Sequence, residues 1–479
     1  MIALTLAEVA ELVGGRLTGG ADPTATVTGT VEFDSRKVTA GGLFVALPGE
    51  RVDGHDYVGT AAKAGAVASM VAREVDVPAI LVSDQLTALA DLAHGVLARL
   101  KDITVVGVTG SSGKTSTKDL LAQLLVRLGE TVAPPESFNN EIGHPYTVLR
   151  ATEDTRYLVL EKSARKIGHI AQLARIAPPR IGVELNVGTA HVGEFGSVEA
   201  IATAKGELVE ALPPAADGGV AVLNADDERV RAMAARTKAR VVLVGRAEDA
   251  DVRAENVRVE QGRPVFDIVV KNAKAPVAMQ LYGEHHVGNA LAAAAVALEL
   301  GISLDEVAAT LSGAGLVSKR RMEVTTRADG VTIVDDTFNA NPDSVRVALR
   351  NLAEIAGDRR RWAVLGEMAE LGPGSVAEHV AIGRYAVELG TARVVATGPA
   401  ATGILDGARE AAGTEHAGTE RAAAMTAVAD TQAAAALLVA QLAPGDVVLV
   451  KGSKVAHMEQ VTAALLAPVG EHDRAEASA

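Results

Sequence analysis

A glycine-rich turn ending in lysine and threonine, Gly110-Ser111-Ser112-Gly113-Lys114-Thr115-Ser116, has the residue types needed to hold phosphate. The N–H groups of such a turn face an anion, the lysine adds a mobile positive charge, and the threonine hydroxyl can ligate Mg²⁺. Lysine and threonine together are not explained by a purely structural turn, and they point to ATP. The pattern is not the commoner G-x-x-x-x-G-K-[ST] loop, because Val108 stands where that loop has glycine. The flanking elements fit a phosphate cradle. Ile103-Thr-Val-Val-Gly-Val-Thr109 predicts a strand running into the turn, and Leu120, Leu121, Leu124, Leu125 and Leu128 predict one face of a helix leaving it, with Gly129 as its stop.

Ligands gather at the carboxyl ends of parallel strands, and two further strands bring candidates there. Tyr157–Leu160 runs into Glu161, and Ile181–Leu185 runs into Asn186-Val-Gly-Thr-Ala-His191. Alone, Glu161 reads as a solvated strand end and His191 as a satisfied loop histidine. Beside Lys114 and Thr115, a carboxylate and an imidazole become candidate Mg²⁺ ligands, although Mg²⁺ takes oxygen more readily than nitrogen. Lys205 follows Ser197 on a predicted helix and shares an apolar face with Ile201, Leu208 and Leu212. Two readings are open. Its stem is buried with the ammonium reaching water, or its neutral amine adds CO₂ and becomes a carbamate. Only the carbamate suits a neighbouring metal, which an ammonium repels.

At 479 residues the chain exceeds one core, and about three domains are expected. Its composition, 48% hydrophobic and 22% charged, is that of a globular protein, and a net charge of −14 argues against nucleic acid as the main partner. With no cysteine, neither disulfides nor a thiolate mechanism is available. Glu8 and Glu11 interrupt the first apolar stretch and no long apolar run occurs beyond it, so a cytoplasmic protein without membrane insertion is expected.

The pattern divides into three. Residues 1 to 100 hold short strands, among them Gly41–Leu47, and helical stretches around Ala61 and Leu86–Leu100. From 101 to 317 strands alternate with helices, adding Val220–Leu223 and Val241–Val244, which predicts a mainly parallel sheet covered by helices. From 318 to 479 the alternation restarts with Val331–Val334, Trp362–Leu365, Val394–Ala396 and Val447–Val450, a second doubly wound unit. An alanine-rich helix is expected near 421–442 and a polar, unstructured tail after Pro468.

Taken together these pieces resemble the Mur ligases of bacterial cell-wall synthesis over nearly the whole chain. Mur ligases and folylpolyglutamate synthetases share the shorter T-G-x-x-G-K-T-[ST] loop. Val31-Glu-Phe-Asp-Ser-Arg36, Leu43-Phe-Val-Ala-Leu47 and Asp53-Gly-His55 carry the resemblance at the front. Ser137–Gly143, Asn186–Gly196, Ala204–Leu208 and Gly283–Asn289 carry it in the middle, Phe338–Ser344 and Leu365–Gly372 behind. Asn339-Ala-Asn-Pro342 and Gly366-Glu-Met-Ala-Glu-Leu-Gly372 resemble the branch that adds D-alanyl-D-alanine.

The resemblance implies an α/β protein of three domains: a uridine-nucleotide-binding domain (1–100), a central P-loop-type ATP domain (101–317) and a Rossmann-like C-terminal domain (318–479). It implies that Gly110–Ser116 hold ATP phosphates and that Thr115, Glu161, His191 and a carbamylated Lys205 hold Mg²⁺. Asn289 would meet the adenine, Arg321 the γ-phosphate and Asp336 the ribose. Ser35 and Arg36 would meet the uridine nucleotide, Asn139 and Asn140 the muramoyl peptide, and Asn339 and Asn341 the acceptor. Lys114, Glu161, His191, Lys205 and Arg321 would form the catalytic set of a monomer that joins D-alanyl-D-alanine to UDP-N-acetylmuramoyl tripeptide through an acyl phosphate. The product would feed peptidoglycan synthesis, hence cell shape and division. A diverged amide ligase for other substrates is the alternative.

Two positions depart from the family pattern. Glu161-Lys-Ser-Ala-Arg165 stands where Glu-Met-Gly-Ala-Arg is common, and Glu184 interrupts an apolar strand. Strand alternation sends Lys162 away from the side that Glu161 faces, so Lys162 and Glu184 either pair or are solvated separately. ATP would lie between the central and C-terminal domains, hinged at Leu316–Lys319. An open cleft is expected at rest, with Arg321 too far from Lys114 to share a phosphate.

Overall fold

The structure, a computed structural model, describes residues 1–49, 52–415 and 424–467. Three large sheets organise it, beside a two-stranded pairing of Leu4–Thr5 with Thr26–Val27. The first has the order Arg16–Thr18, Ala79–Leu81, Ala68–Val71, Leu43–Val45, Val31–Glu32, parallel except for its first pair. Helix Gln85–Arg99 buries Leu89, Leu92 and Val96 in the core beside it.

The central sheet has nine strands, in the order Ala273–Ala278, Arg263–Val270, Val252–Glu260, Arg240–Gly245, Val220–Asn224, Ile181–Glu184, Thr104–Thr109, Thr155–Glu161, Glu130–Val132. Its inner strands are parallel, buried on both sides and rich in valine, as such sheets require. The meander Val252–Ala278 goes beyond the sequence expectation. It is antiparallel, and charged residues such as Arg253, Glu255, Arg258 and Glu260 break any apolar run. The register sets Glu161 opposite Val108 and Glu184 opposite Thr109, so both carboxylates stand at the start of the glycine-rich turn.

The helix after the turn runs Lys114–Leu125. Leu120, Leu121, Leu124 and Leu125 are fully buried, in a cluster with Ala290–Ala297 of helix His286–Glu299. Leu128 lies past the helix end and is 38% exposed, so the apolar face is one turn shorter than expected.

The C-terminal sheet has the order Glu323–Thr326, Thr332–Asp335, Val447–Lys451, Arg361–Leu365, Arg393–Thr397, Met425–Val428, parallel except for its first pair. The alanine-rich stretch is divided. Met425–Val428 is an edge strand, and among the described residues of that stretch only Thr431–Gln441 is helical. The expected tail after Pro468 lies outside the described residues.

Candidate functional site

The glycine-rich turn is clamped by the neighbouring strand end. Ser111 N–H donates to the Asn186 carbonyl (3.0 Å) and Ser112 N–H to Asn186 Oδ1 (2.9 Å), while Asn186 Nδ2 donates to Ser112 O (3.2 Å). Gly188 N–H donates to Ser111 Oγ (2.9 Å). Gly113 must be glycine: its φ is +82°, and a Cβ there would lie 2.5 Å from Asn289 Oδ1. Lys114 Nζ donates to Gly110 O (2.7 Å), folding back over the turn. Burial lowers its pKa, Glu161 and Glu184 oppose that, and Arg321 adds to it.

Glu161 is fully buried. Its Oε2 accepts from Ser137 Oγ and Asn139 Nδ2, each at 3.2 Å, and its Oε1 has no partner. Lys205 points inward and is 7% exposed; burial, helped by Lys114 and opposed by Glu184, brings its pKa down to about 7. Glu184 is buried with no hydrogen-bond partner on either oxygen. Burial raises its pKa well above the usual carboxylate range, against Lys205, Arg236 and Lys114. The suggested Lys162–Glu184 pair does not form. Glu184 feels the field of Lys205 without bonding to it, and Lys162 is buried elsewhere, where its Nζ donates to His144 Nε2 (2.8 Å), Leu173 O (3.0 Å) and Ala177 O (3.3 Å). The two carbonyls lie at the C-terminal end of helix His169–Ile176.

Lys162 yields a stability prediction. Burial brings its pKa to about 7 from an ordinary value of 10.5. Between those values the unfolded chain binds more protons than the folded one, so stability rises with pH through that window. Lys162→Met should remove up to ~1.4 kcal/mol of that rise per pH unit. Denaturation midpoints of both proteins at pH 7 and 9 check this; parallel shifts would show that Lys162 is not the source.

A cavity of about 2140 Å³ opens beside the turn. Phe33 and His94 reach it from the N-terminal domain, Ser111–Ser116, Asn139, Asn140, His191 and Asn289 from the central one, and Arg321, Asp336, Asn339 and Asn341 from the C-terminal one. Asn289 Nδ2 and Arg321 Nε are buried without partners, and the Arg321 guanidinium lies over the Phe338 ring at 4.0 Å. Asp336 Oδ2 accepts from Lys451 Nζ (2.6 Å) and its Oδ1 from Met322 N–H (3.2 Å).

Some expected contacts are already committed elsewhere. Asn341 caps helix Pro342–Ala356 through Ser344 N–H, and Asn140 Oδ1 accepts from Gly143 N–H. Asn139 holds Glu161 through its amide. Ser35 and Arg36 do not line the cavity; Ser35 is buried and Arg36 is exposed, paired with Asp34 at 2.8 Å. Gly110, Glu161 and Lys205 do not line the cavity.

The open cleft is not what the structure shows. Thr189 donates through N–H (2.9 Å) and Oγ1 (3.0 Å) to Asp343 Oδ2, and Gly193 N–H to Glu370 O (3.2 Å). His191 Nδ1 pairs with Glu370 Oε2, and Arg165 lies 3.4 Å from Glu370 Oε1. These bonds close the C-terminal domain onto the loop that carries His191. Sequence reasoning does not single out Asp343, Glu370, Phe338 or Lys451. Asp343, Glu370 and Phe338 nevertheless fall in the segments Phe338–Ser344 and Leu365–Gly372 that carry the resemblance.

Among the described residues no three His, Cys, Asp or Glu side chains gather as a metal cluster. The oxygen donors nevertheless suit Mg²⁺: Thr115 is buried at the helix start and Glu161 presents an unpartnered oxygen. Lys205 as a carbamate would add another. Among the described residues no helix is long and apolar enough to cross a membrane.

Comparison with known proteins agrees with this architecture. Residues 29–97 match the Mur ligase family catalytic domain, 108–297 the Mur ligase middle domain, and 320–454 the Mur ligase glutamate ligase domain. The chain is 52% identical over 505 aligned positions, covering 98% of each chain, to UDP-N-acetylmuramoyl-tripeptide--D-alanyl-D-alanine ligase of Mycobacterium tuberculosis (strain ATCC 25618 / H37Rv). It is 35% identical to the Escherichia coli (strain K12) protein of that name, over 97% of this chain and 99% of the other. The crystal structure of MurF from Acinetobacter baumannii superposes with a TM-score of 0.84 at 30% identity, covering 97% of this chain and 98% of that one. MurF ligase from Thermotoga maritima in complex with ADP gives 0.77, also at 30% identity, over 91% and 97%. The chain belongs to the Mur ligase family.

Proposed function

We propose that the protein is an ATP-dependent, ADP-forming amide ligase that joins D-alanyl-D-alanine to UDP-N-acetylmuramoyl tripeptide. The observation that carries this reading is the cavity. Drug-sized ligands occupy roughly 300–1,000 Å³, whereas about 2140 Å³ walled by all three domains can hold a nucleotide, a long nucleotide-linked peptide and a dipeptide together. The names of the relatives supply the substrates.

ATP lies with its phosphates on the turn Gly110–Ser116 at the N-terminus of helix Lys114–Leu125, its adenine toward Asn289 and its ribose toward Asp336. Asn289 Nδ2 is the unpartnered donor on that side. The tripeptide's terminal carboxylate attacks the γ-phosphorus and ADP leaves. The amine of D-alanyl-D-alanine then attacks the acyl phosphate carbon, phosphate departs, and the amide remains. Lys114 and Arg321 offset the charge as a carboxylate nears a triphosphate. Asn139 and Ser137 hold Glu161 in place, and the Glu370 and Asp343 contacts exclude water that would hydrolyse the acyl phosphate. Thr115, Glu161, His191 and carbamylated Lys205 would hold Mg²⁺, which supplies charge neutralisation at the phosphoryl oxygens. The enzyme works as a cytoplasmic monomer in peptidoglycan precursor synthesis.

A coupled assay of ADP release with UDP-N-acetylmuramoyl tripeptide and D-alanyl-D-alanine tests this. Turnover should require both substrates and yield the pentapeptide. ADP release that ignores the dipeptide, or no product with either, would refute the substrate assignment.

A further inference from the structure

Beyond the site itself, the phosphate-loop helix holds a buried ion pair that no step of the reaction uses. Lys118 and Asp119 are both buried and paired with each other. Lys118 Nζ also donates to Pro134 O (3.1 Å) and Ser318 Oγ (3.3 Å), and Asp119 Oδ2 accepts from Ser318 N–H (3.1 Å). One turn along, Gln123 Oε1 accepts from Gly315 N–H (3.1 Å) while its Nε2 donates to Gly315 O (3.3 Å). Gly315 and Ser318, which bracket the start of the expected hinge Leu316–Lys319, are therefore tied to the helix that begins at Lys114.

Three residues further lies Arg321. Arg320 and Met322, on either side of it, have φ values of +61° and +52°, a strained conformation for residues other than glycine. The C-terminal domain enforces it: Phe338 N–H donates to Arg320 O (3.2 Å) and Met322 N–H to Asp336 Oδ1 (3.2 Å). Asp119, with Glu161, Asp336 and Glu136, is among the carboxylates whose field acts on Arg321. A buried ion pair adds little net stability over an apolar pair of similar volume, so its worth here is position.

We propose that Asp119, held by Lys118, is a positioning residue that docks the linker at Ser318 and thereby fixes where Arg321 presents its guanidinium to the terminal phosphate of ATP. This rests on reading Arg321 as the γ-phosphate contact. The helix that cradles the phosphates then also sets the distance of the cation that must meet them from the opposite domain.

The test compares binding of ADP and of a non-hydrolysable ATP analogue by calorimetry. Arg321→Ala should lose about tenfold of the preference for the analogue over ADP, since a charge-assisted contact of about 1.4 kcal/mol is lost. Asp119→Ala should lose a similar factor with ADP affinity unchanged, and the double variant should lose no more than either single one. Lys118→Met/Asp119→Leu, which removes the acceptor of the Ser318 N–H without leaving a buried charge unpaired, should lose a similar factor and decides the matter if Asp119→Ala does not fold. A folded Asp119→Ala, or failing that the Lys118→Met/Asp119→Leu protein, that keeps the native preference while Arg321→Ala loses it overturns the positioning role and leaves the Arg321 contact standing. Native preference in Arg321→Ala overturns the contact itself, and the positioning role with it.

Discussion

Lys114→Ala is expected to leave a folded protein whose ligation rate falls by about 10³-fold or more. Lys114 sits at the first turn of its helix and is half-buried, outside the helix's buried apolar face, so truncation costs little core packing. Its ammonium bridges back to Gly110 O at 2.7 Å and shares its surroundings with Glu161, Glu184 and Arg321. In that half-closed, poorly solvated place a cation is worth more than at the surface, because water does not screen it. Removing one such preorganised group commonly costs 10²–10³-fold (about 2.7–4 kcal/mol). The larger expectation here reflects the charge that accumulates when a carboxylate meets a triphosphate. Product formation and thermal midpoint are measured together. Near-native turnover with an unchanged midpoint would remove residues 110–116 from the catalytic centre.

Much of this site is legible in the chain because its parts are local. A strand, a glycine turn and a helix occupy consecutive residues, and Glu161 stands out as the first charged residue after an apolar run. Helical spacing alone places Lys205 on an inward face, and it is buried. The features that escape sequence reasoning depend on pairing between distant segments. The meander Val252–Ala278 alternates buried and half-exposed positions, so a search for continuous apolar runs passes over it. The partners of His191 and Thr189 lie more than 150 positions away, at Glu370 and Asp343, and no periodicity joins them. Lys162 and Glu184 are recognisably unusual in the sequence, but their partners are not the ones it suggests. In a linear chain, two opposite charges invite pairing. In the sheet, register decides: Glu184 is left without a hydrogen-bond partner in the field of Lys205, and Lys162 reaches a histidine and two helix-end carbonyls.

Lys205→Ala should suppress ligation, and short-chain carboxylates should partly restore it. An ammonium is poorly suited to this position. It is buried, Lys114 repels it, and burial brings its pKa to about 7, so at pH 8 most of the population is the neutral amine. A neutral amine is the form that adds CO₂, losing a proton to leave a carbamate, and the product carries the negative charge that Lys114 and bound Mg²⁺ favour. The adjacent Glu184 does not compete for this role, since burial holds its carboxyl toward the protonated form. Alanine leaves a pocket one long side chain deep, which formate or acetate can enter to place an oxygen near the metal. Glutamate at 205 should restore less than lysine, being shorter than a carbamylated lysine. The direct measurement is a ¹³C spectrum under labelled CO₂ with Mg²⁺ and a non-hydrolysable ATP analogue bound. A carbamate signal should be present in the native protein and absent in Lys205→Ala. A spectrum without that signal in the loaded native enzyme would refute the modification, and would require the buried amine to act as a neutral hydrogen-bond donor instead.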